Sequence, residues 1–69
     1  MAVEIRKRLG TNLRTLRQQK GWSQEAFAER AGLHRTYISD LERGARNPTI
    51  TVVDKLATAL SVTPGRLLE

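Results

Sequence analysis

The 69-residue sequence contains no cysteine, one histidine and only three aromatic residues. Without cysteine the chain can form neither a disulfide nor a thiolate metal site, and one histidine is too few for a zinc site within one chain. The aromatic residues are also too few for the stacking platforms on which proteins bind single-stranded nucleic acid. We therefore expect no metal and no redox chemistry of thiols.

The chain also lacks the sequence features of a membrane protein or an enzyme. No apolar run approaches the length of a membrane span, and no signal peptide opens the sequence. There is no glycine-rich phosphate loop, and a core of this size encloses no substrate pocket. A length of 69 residues predicts a single domain over residues 1–69. The absence of a membrane span and a signal peptide predicts a cytoplasmic, nucleoid-associated protein. We expect no enzymatic activity, no cofactor, no small-molecule ligand and no membrane partner.

Positive charge is concentrated at one end of the chain. The formal net charge is +5 and the isoelectric point is about 10.8. Residues 1–20 hold six basic residues and one acidic residue, whereas basic and acidic residues balance from residue 21 onward. A basic surface attracts polyanions such as nucleic acid or an anionic membrane, but it is equally typical of a solubilising face.

Apolar residues recur at helical spacing along almost the whole chain, and no segment alternates as a strand does. Ser23 and Thr49 are typical N-caps, and Thr63 with Pro64 is a typical helix start. Gly10, inside the first helix, indicates close packing against a neighbour. We predict an all-α fold, a compact five-helix bundle, with helices over about 3–19, 24–31, 35–43, 50–60 and from 64.

Residues 24–43 have the spacing of a helix-turn-helix. Ala28 is small enough to let two helices cross closely, and Gly32 stands where the chain must turn sharply. Leu33, Ile38 and Leu41 supply the apolar contacts between the two helices. An ordinary helical hairpin is the competing interpretation, but this combined spacing is restrictive.

The sequence resembles the Cro/cI family of bacterial and phage repressors, also called the Xre type. The resemblance lies in "LRTLRQQKGWSQEAFAERAGL", "YISDLERG", "NPT" and "LATAL", and it covers nearly the whole chain. It implies a lambda repressor-like bundle of five helices whose third helix enters the DNA major groove. Within the family, "LHRTYISDLERGARN" is most similar to controller proteins of restriction–modification systems.

The third predicted helix has a polar face that suits base recognition. Positions 35, 36, 39, 40 and 43 share one face, and positions 38, 41 and 42 share the other. Arg35 can bond guanine O6 and N7 together, and Thr36 can contact a base or a thymine methyl. Ser39 and Asp40 lie one turn further along. The Asp40 carboxylate could accept from cytosine N4 or simply repel phosphates.

A second set of residues is expected to contact the phosphate backbone. Ser23 and the free amides beside it form an anion site at a helix N-terminus. Tyr37 is as well suited to packing as to reaching a phosphate. The resemblance places Gln24 against the backbone and brings the loop residues Arg46 and Asn47 near DNA. The complete set is Ser23, Gln24, Tyr37, Arg43, Arg46 and Asn47.

The resemblance also implies a structural salt bridge between Arg17 and Glu42. In the family the matching positions form a partly buried pair that ties the helices together. We therefore assign both residues to stability and not to DNA.

One short helix reads few base pairs, so we expect a homodimer on a palindromic operator, with half-sites one helical turn apart. The interface candidates are Val52, Val62, Leu67 and Leu68. Each could instead close the core of one monomer. The sequence thus predicts a DNA-binding transcriptional regulator. The alternative is an antitoxin-type or other protein-interaction module on the same fold.

Overall fold

Four α-helices and a final 3-10 helix make up the computed structural model, which describes residues 2–69. The elements are α1 (Val3–Gln19), α2 (Gln24–Ala31), α3 (Arg35–Glu42), α4 (Ile50–Leu60) and the 3-10 helix Pro64–Leu68. No strand occurs within this range. The all-α prediction is confirmed, and the predicted helix bounds hold to within a residue.

The predicted fifth α-helix is a 3-10 helix instead. Its backbone bond from the Arg66 amide to the Thr63 oxygen (3.1 Å) spans three residues and not four. Five residues that begin with proline and glycine offer too few amides for a series of α-helical bonds, whereas a 3-10 turn forms readily in so short a segment.

Side-chain caps set where α2 and α4 begin, and a left-handed residue follows the end of each α-helix. The Ser23 hydroxyl accepts from the Ala26 amide (3.0 Å) at the start of α2, and the Thr49 hydroxyl accepts from the Val52 amide (3.2 Å) at the start of α4. Gly32 ends α2 with φ +70°, a conformation that costs glycine little. Gly32 thereby forms the turn between α2 and α3.

One hydrophobic core joins all five elements. Val53, Leu56, Ala57 and Leu60, which recur at helical spacing in α4, form a buried stripe. The apolar residues that define the helix-turn-helix spacing are buried too, apart from the partly buried Leu33. Leu67 is completely buried (0% exposed). The prediction of Leu67 as a dimer residue is therefore wrong, because its side chain fills the core of the monomer. The core consists of Leu9, Leu13, Phe27, Ala28, Ala31, Ile38, Leu41, Val53, Leu56, Ala57, Leu60 and Leu67.

α1 crosses the end of α3 at Gly10. A Cβ atom at this position would stand 2.6 Å from the backbone oxygens of both Leu41 and Glu42. The two helices can approach this closely because residue 10 has no side chain. The prediction that Gly10 marks close packing is confirmed.

Polar side chains of α1 hold the C-terminal segment. The Asn12 amide donates to the backbone oxygens of Leu67 (2.9 Å) and Glu69 (3.0 Å). The Arg8 guanidinium donates to the Leu68 oxygen (3.2 Å) and also pairs with Glu4. These bonds satisfy carbonyl groups that the end of a helix leaves unpaired.

Candidate nucleic-acid interface

α3 presents one polar face to solvent. Arg35 and Thr36 are exposed in its first turn, and Ser39 is partly exposed one turn later. The opposite face is buried: Ile38 and Leu41 are 0% and 1% exposed. The packing of that face fixes which side chains α3 can offer to a partner.

A buried ion pair ties α3 to α1. Arg17 Nε donates to Glu42 Oε2 (2.7 Å), and a second nitrogen of Arg17 donates to Glu42 Oε1 (3.0 Å). The Arg17 and Glu42 side chains are 11% and 4% exposed. The hydrogen bonds that Arg17 donates to Glu42 raise the pKa of Arg17 above its ordinary value. Arg17 also donates to the Trp22 backbone oxygen (2.8 Å), so the pair holds three segments together.

Gln24 joins this pair from the first turn of α2. Its side-chain nitrogen donates to Glu42 Oε1 (3.1 Å). A primary amide has two N–H groups, so one donor is still available to a ligand. Ser23 is exposed beside it at the N-terminus of α2, where backbone amides and the helix dipole favour an anion.

Asp40 lies on the predicted reading face but is already engaged by two arginines. Its Oδ1 accepts from Arg43, and its Oδ2 accepts from Arg46 Nε (3.1 Å). The bond from Arg46 and then that from Arg43 lower the pKa of Asp40. The Arg46 guanidinium also stacks on Tyr37, 5.1 Å from the ring centre. We call these four residues the arginine cluster.

Tyr37 belongs to the arginine cluster, and Asn47 follows the cluster along the chain. The Tyr37 ring is partly buried and packs against the core, so the packing alternative accounts for its ring. Asn47 is exposed in the loop between α3 and α4. Tyr37 lies next to Arg46 in space, and Asn47 follows Arg46 in the sequence.

The remaining dimer candidates lie on the flank of the core. Val52, Val62 and Leu68 are partly buried and pack against it. The sequence reasoning missed Ile50, which is 89% exposed. Ile50 stands one turn before Val53, so the periodicity alone would place it on the buried stripe. The first turn of α4 extends past the core, and only the structure reveals this.

Two negative findings apply to residues 2–69. In this range no group of three or more histidine, aspartate or glutamate side chains could hold a metal ion. No helix in the described part of the chain is long and apolar enough to cross a membrane.

Known proteins with a similar sequence or structure are regulators. Control protein C.BamHI of Bacillus amyloliquefaciens is 44% identical over 70 residues, which cover 100% of this chain and 86% of that protein. The restriction–modification controller protein C.AhdI from Aeromonas hydrophila has a structure with a TM-score of 0.87, at 45% identity. The match covers 90% of this chain and 94% of that one.

A second solved structure extends over the whole chain. The hypothetical transcription factor NHTF from Neisseria has a TM-score of 0.92 at 40% identity, covering 100% of this chain and 80% of that one. The family model described as helix-turn-helix (HTH_3) matches residues 13–67. The chain therefore belongs to the helix-turn-helix family of transcriptional regulators.

Proposed function

We propose that this protein regulates transcription by binding a specific sequence of double-stranded DNA, with α3 in the major groove. The observation that carries the proposal is the two-sided character of α3. Ile38 and Leu41 are buried, whereas Arg35 and Thr36 are exposed on the other side. The major groove admits an α-helix, and the N-terminal residues of a recognition helix meet the base edges there.

In this proposal Arg35, Thr36 and Ser39 read the bases. Arg35 is suited to guanine, because its planar guanidinium can donate to O6 and N7 together. Thr36 and Ser39 can each form a hydrogen bond with a base edge, and the Thr36 methyl can contact thymine. The Arg17–Glu42 pair supports recognition indirectly, because it fixes the orientation of α3.

We propose that two groups of residues contact the phosphate backbone. One group is the N-terminus of α2, with Ser23 and the second amide N–H of Gln24. The other group comprises Tyr37, Arg43, Arg46 and Asn47, at the end of α3 and in the following loop. Such contacts position the protein on the duplex without reading its sequence.

We further propose that residues 1–69 form one domain that binds a palindromic operator as a homodimer. The short reading length of α3 supports this proposal, because one such helix contacts few base pairs and two copies can bind half-sites one helical turn apart. Ile50, whose side chain is 89% exposed, is one proposed interface residue. Val52, Val62 and Leu68 are the other proposed interface residues. A protein that binds chromosomal DNA would act in the cytoplasm.

The similarity to control protein C.BamHI and to controller protein C.AhdI supports a finer proposal. We propose that this chain is the controller of a restriction–modification system. Genes for a methyltransferase and a nuclease beside its own gene would support that assignment, and their absence would argue for another regulon.

The test is selection of bound duplexes from a random DNA pool, followed by titration of the selected sequence. Wild-type protein should select a palindrome and bind it less tightly as salt rises. Arg35→Ala should relax the preference at one position of each half-site and weaken binding by about 1–3 kcal/mol. Lys55→Ala is the matched control, because it also removes a cation but from the exposed side of α4. Unchanged affinity and preference for Arg35→Ala would refute the proposed docking.

A further inference from the structure

The arginine cluster has its negative charge inside and its positive charges outside. The Asp40 side chain is 17% exposed, whereas the Arg43 and Arg46 side chains are 66% and 53% exposed. Both carboxylate oxygens of Asp40 accept hydrogen bonds from these guanidinium groups. A ligand that approaches α3 from solvent therefore meets the arginines before it meets the carboxylate.

The hydrogen bonds within the cluster leave donors available to a ligand. A guanidinium has five N–H donors, and the bond from Arg46 to Asp40 uses its Nε. The central carbon of the Arg46 guanidinium also lies over the Tyr37 ring, 5.1 Å from the ring centre. One carboxylate and one aromatic ring thus restrict the Arg46 side chain. The cluster as a whole keeps a net charge of +1.

An arginine side chain that is already held in place binds phosphate more favourably. A long side chain loses rotamer freedom when it is immobilised at an interface, and a chain that is already held loses less. An aspartate within reach of DNA also repels the phosphates. The effect of Asp40 on DNA affinity is therefore the balance of these opposing terms.

We infer that Asp40 is a positioning residue that holds Arg43 and Arg46 in place for the DNA backbone, and that it does not read a base. This role rests on the proposed function. The geometry favours it over base reading, because a cytosine amino group would have to displace an arginine from a carboxylate whose two oxygens are both engaged.

Asp40→Asn distinguishes three roles by the direction of its effect. If Asp40 only repels DNA, the variant binds every duplex more tightly than wild type. If Asp40 reads a base, the variant changes the preference at one position. If Asp40 positions the arginines, the variant binds every duplex more weakly and with a smaller dependence on salt. Weaker binding is the informative result, because Asp40→Asn makes the protein more positive and simple charge attraction would tighten its binding to DNA.

The experiment is a salt series of fluorescence anisotropy titrations, with the duplex selected by wild-type protein and an unrelated duplex of equal length. Asp40→Asn should weaken binding to both duplexes by roughly five- to a hundredfold, as expected from the ordering of two arginine side chains. The slope of log K against log salt should fall by about 1–2, or nearly one unit for each lost phosphate contact. Asp54→Asn is the matched control, because it removes an exposed aspartate from α4.

A mutant cycle tests whether Asp40 acts through the arginines. In an Arg43→Gln/Arg46→Gln background only the repulsion between Asp40 and the phosphates is left, so Asp40→Asn should no longer weaken binding and should leave it equal or tighter. Circular dichroism of each variant checks that it is folded. Tighter or equal binding by Asp40→Asn, a changed base preference, or an equal loss in the double-glutamine background would each overturn the inference. Wild-type protein that binds no duplex would overturn the proposed function itself.

Discussion

Arg17→Met should be among the most destabilising single substitutions outside the hydrophobic core. It leaves the Glu42 carboxylate in a site where the side chain is 4% exposed. Among residues 2–69, the hydrogen bond from Gln24 (3.1 Å) is the side-chain contact that this carboxylate keeps. Removal of one partner from a buried pair costs about 3–5 kcal/mol, because the other charge is stranded away from water.

The loss would be a large part of the total stability. Proteins have about 0.05–0.15 kcal/mol of stability per residue, which for a chain of this length is about 3–10 kcal/mol. The Arg17→Met protein should therefore unfold at a much lower urea concentration than wild type. Since Arg17 also donates to the Trp22 backbone oxygen (2.8 Å), the substitution releases the turn after α1 as well.

Glu42→Leu should cost less than Arg17→Met. The Arg17 side chain is 11% exposed, and its flexible stem allows the guanidinium to move towards water once its partner is gone. The double variant Arg17→Met/Glu42→Leu strands no charge, so its stability should lie above that of Arg17→Met alone. This order distinguishes a stranded charge from the simple loss of a contact.

Urea denaturation followed by far-ultraviolet circular dichroism is the appropriate assay, because it reports all the helices together. Arg14→Met is the matched control: Arg14 is exposed on α1, and its substitution should change the free energy of unfolding by no more than about 0.5 kcal/mol. The reasoning is refuted if Arg17→Met loses less than about 1 kcal/mol and the double variant loses the sum of the two single losses. The pair would then behave as a surface ion pair does.

Three further predictions follow from other features. Gly10→Ala should destabilise the protein although alanine favours a helix by about 1 kcal/mol, because its Cβ would meet two backbone oxygens at 2.6 Å; Gly65→Ala, with no atom within 4 Å of its Cβ, is the control in the same melts. Ile50→Asp should shift sedimentation equilibrium towards monomer while the circular dichroism spectrum stays unchanged, and an unaltered dimer would remove Ile50 from the interface. The ion pairs with Arg46 and Arg43 lower the pKa of Asp40, so they stabilise the folded state at pH values above the unfolded pKa of about 4. This stabilisation is lost as the pH falls through the pKa of Asp40 in the folded state. The stability difference between wild type and Asp40→Asn should therefore shrink in acid, and a difference that grows would contradict the cited shift.

The sequence determines the helices more completely than it determines the site. The N-caps Ser23 and Thr49 act locally, so their residue types and positions are sufficient to predict them. A glycine inside a helix indicates close packing, but the sequence does not say which element packs there, and the structure gives the end of α3. The burial of Leu67 depends on the path of the last six residues, which a helical pattern of one turn cannot specify. The predicted dimer role of Leu67 failed for that reason.

The sequence does not predict the arginine cluster, for a similar reason. Arg43 stands three residues after Asp40, so an ion pair between them follows from helical spacing. Arg46 lies beyond the end of α3, and the path of the loop brings it to both Asp40 and Tyr37. Periodicity ends with the helix, so it cannot predict such contacts.

The hydrogen bonds from Arg8 and Asn12 to residues 67–69 have a consequence during synthesis. They join α1 to a segment that lies more than fifty residues later in the sequence. Leu9 and Leu13 of α1 share the core with Leu67, so this part of α1 stays uncovered until residues 67–69 have been made. α1 therefore completes its packing late in the synthesis of the domain, and until then its apolar side chains present a site for chaperones.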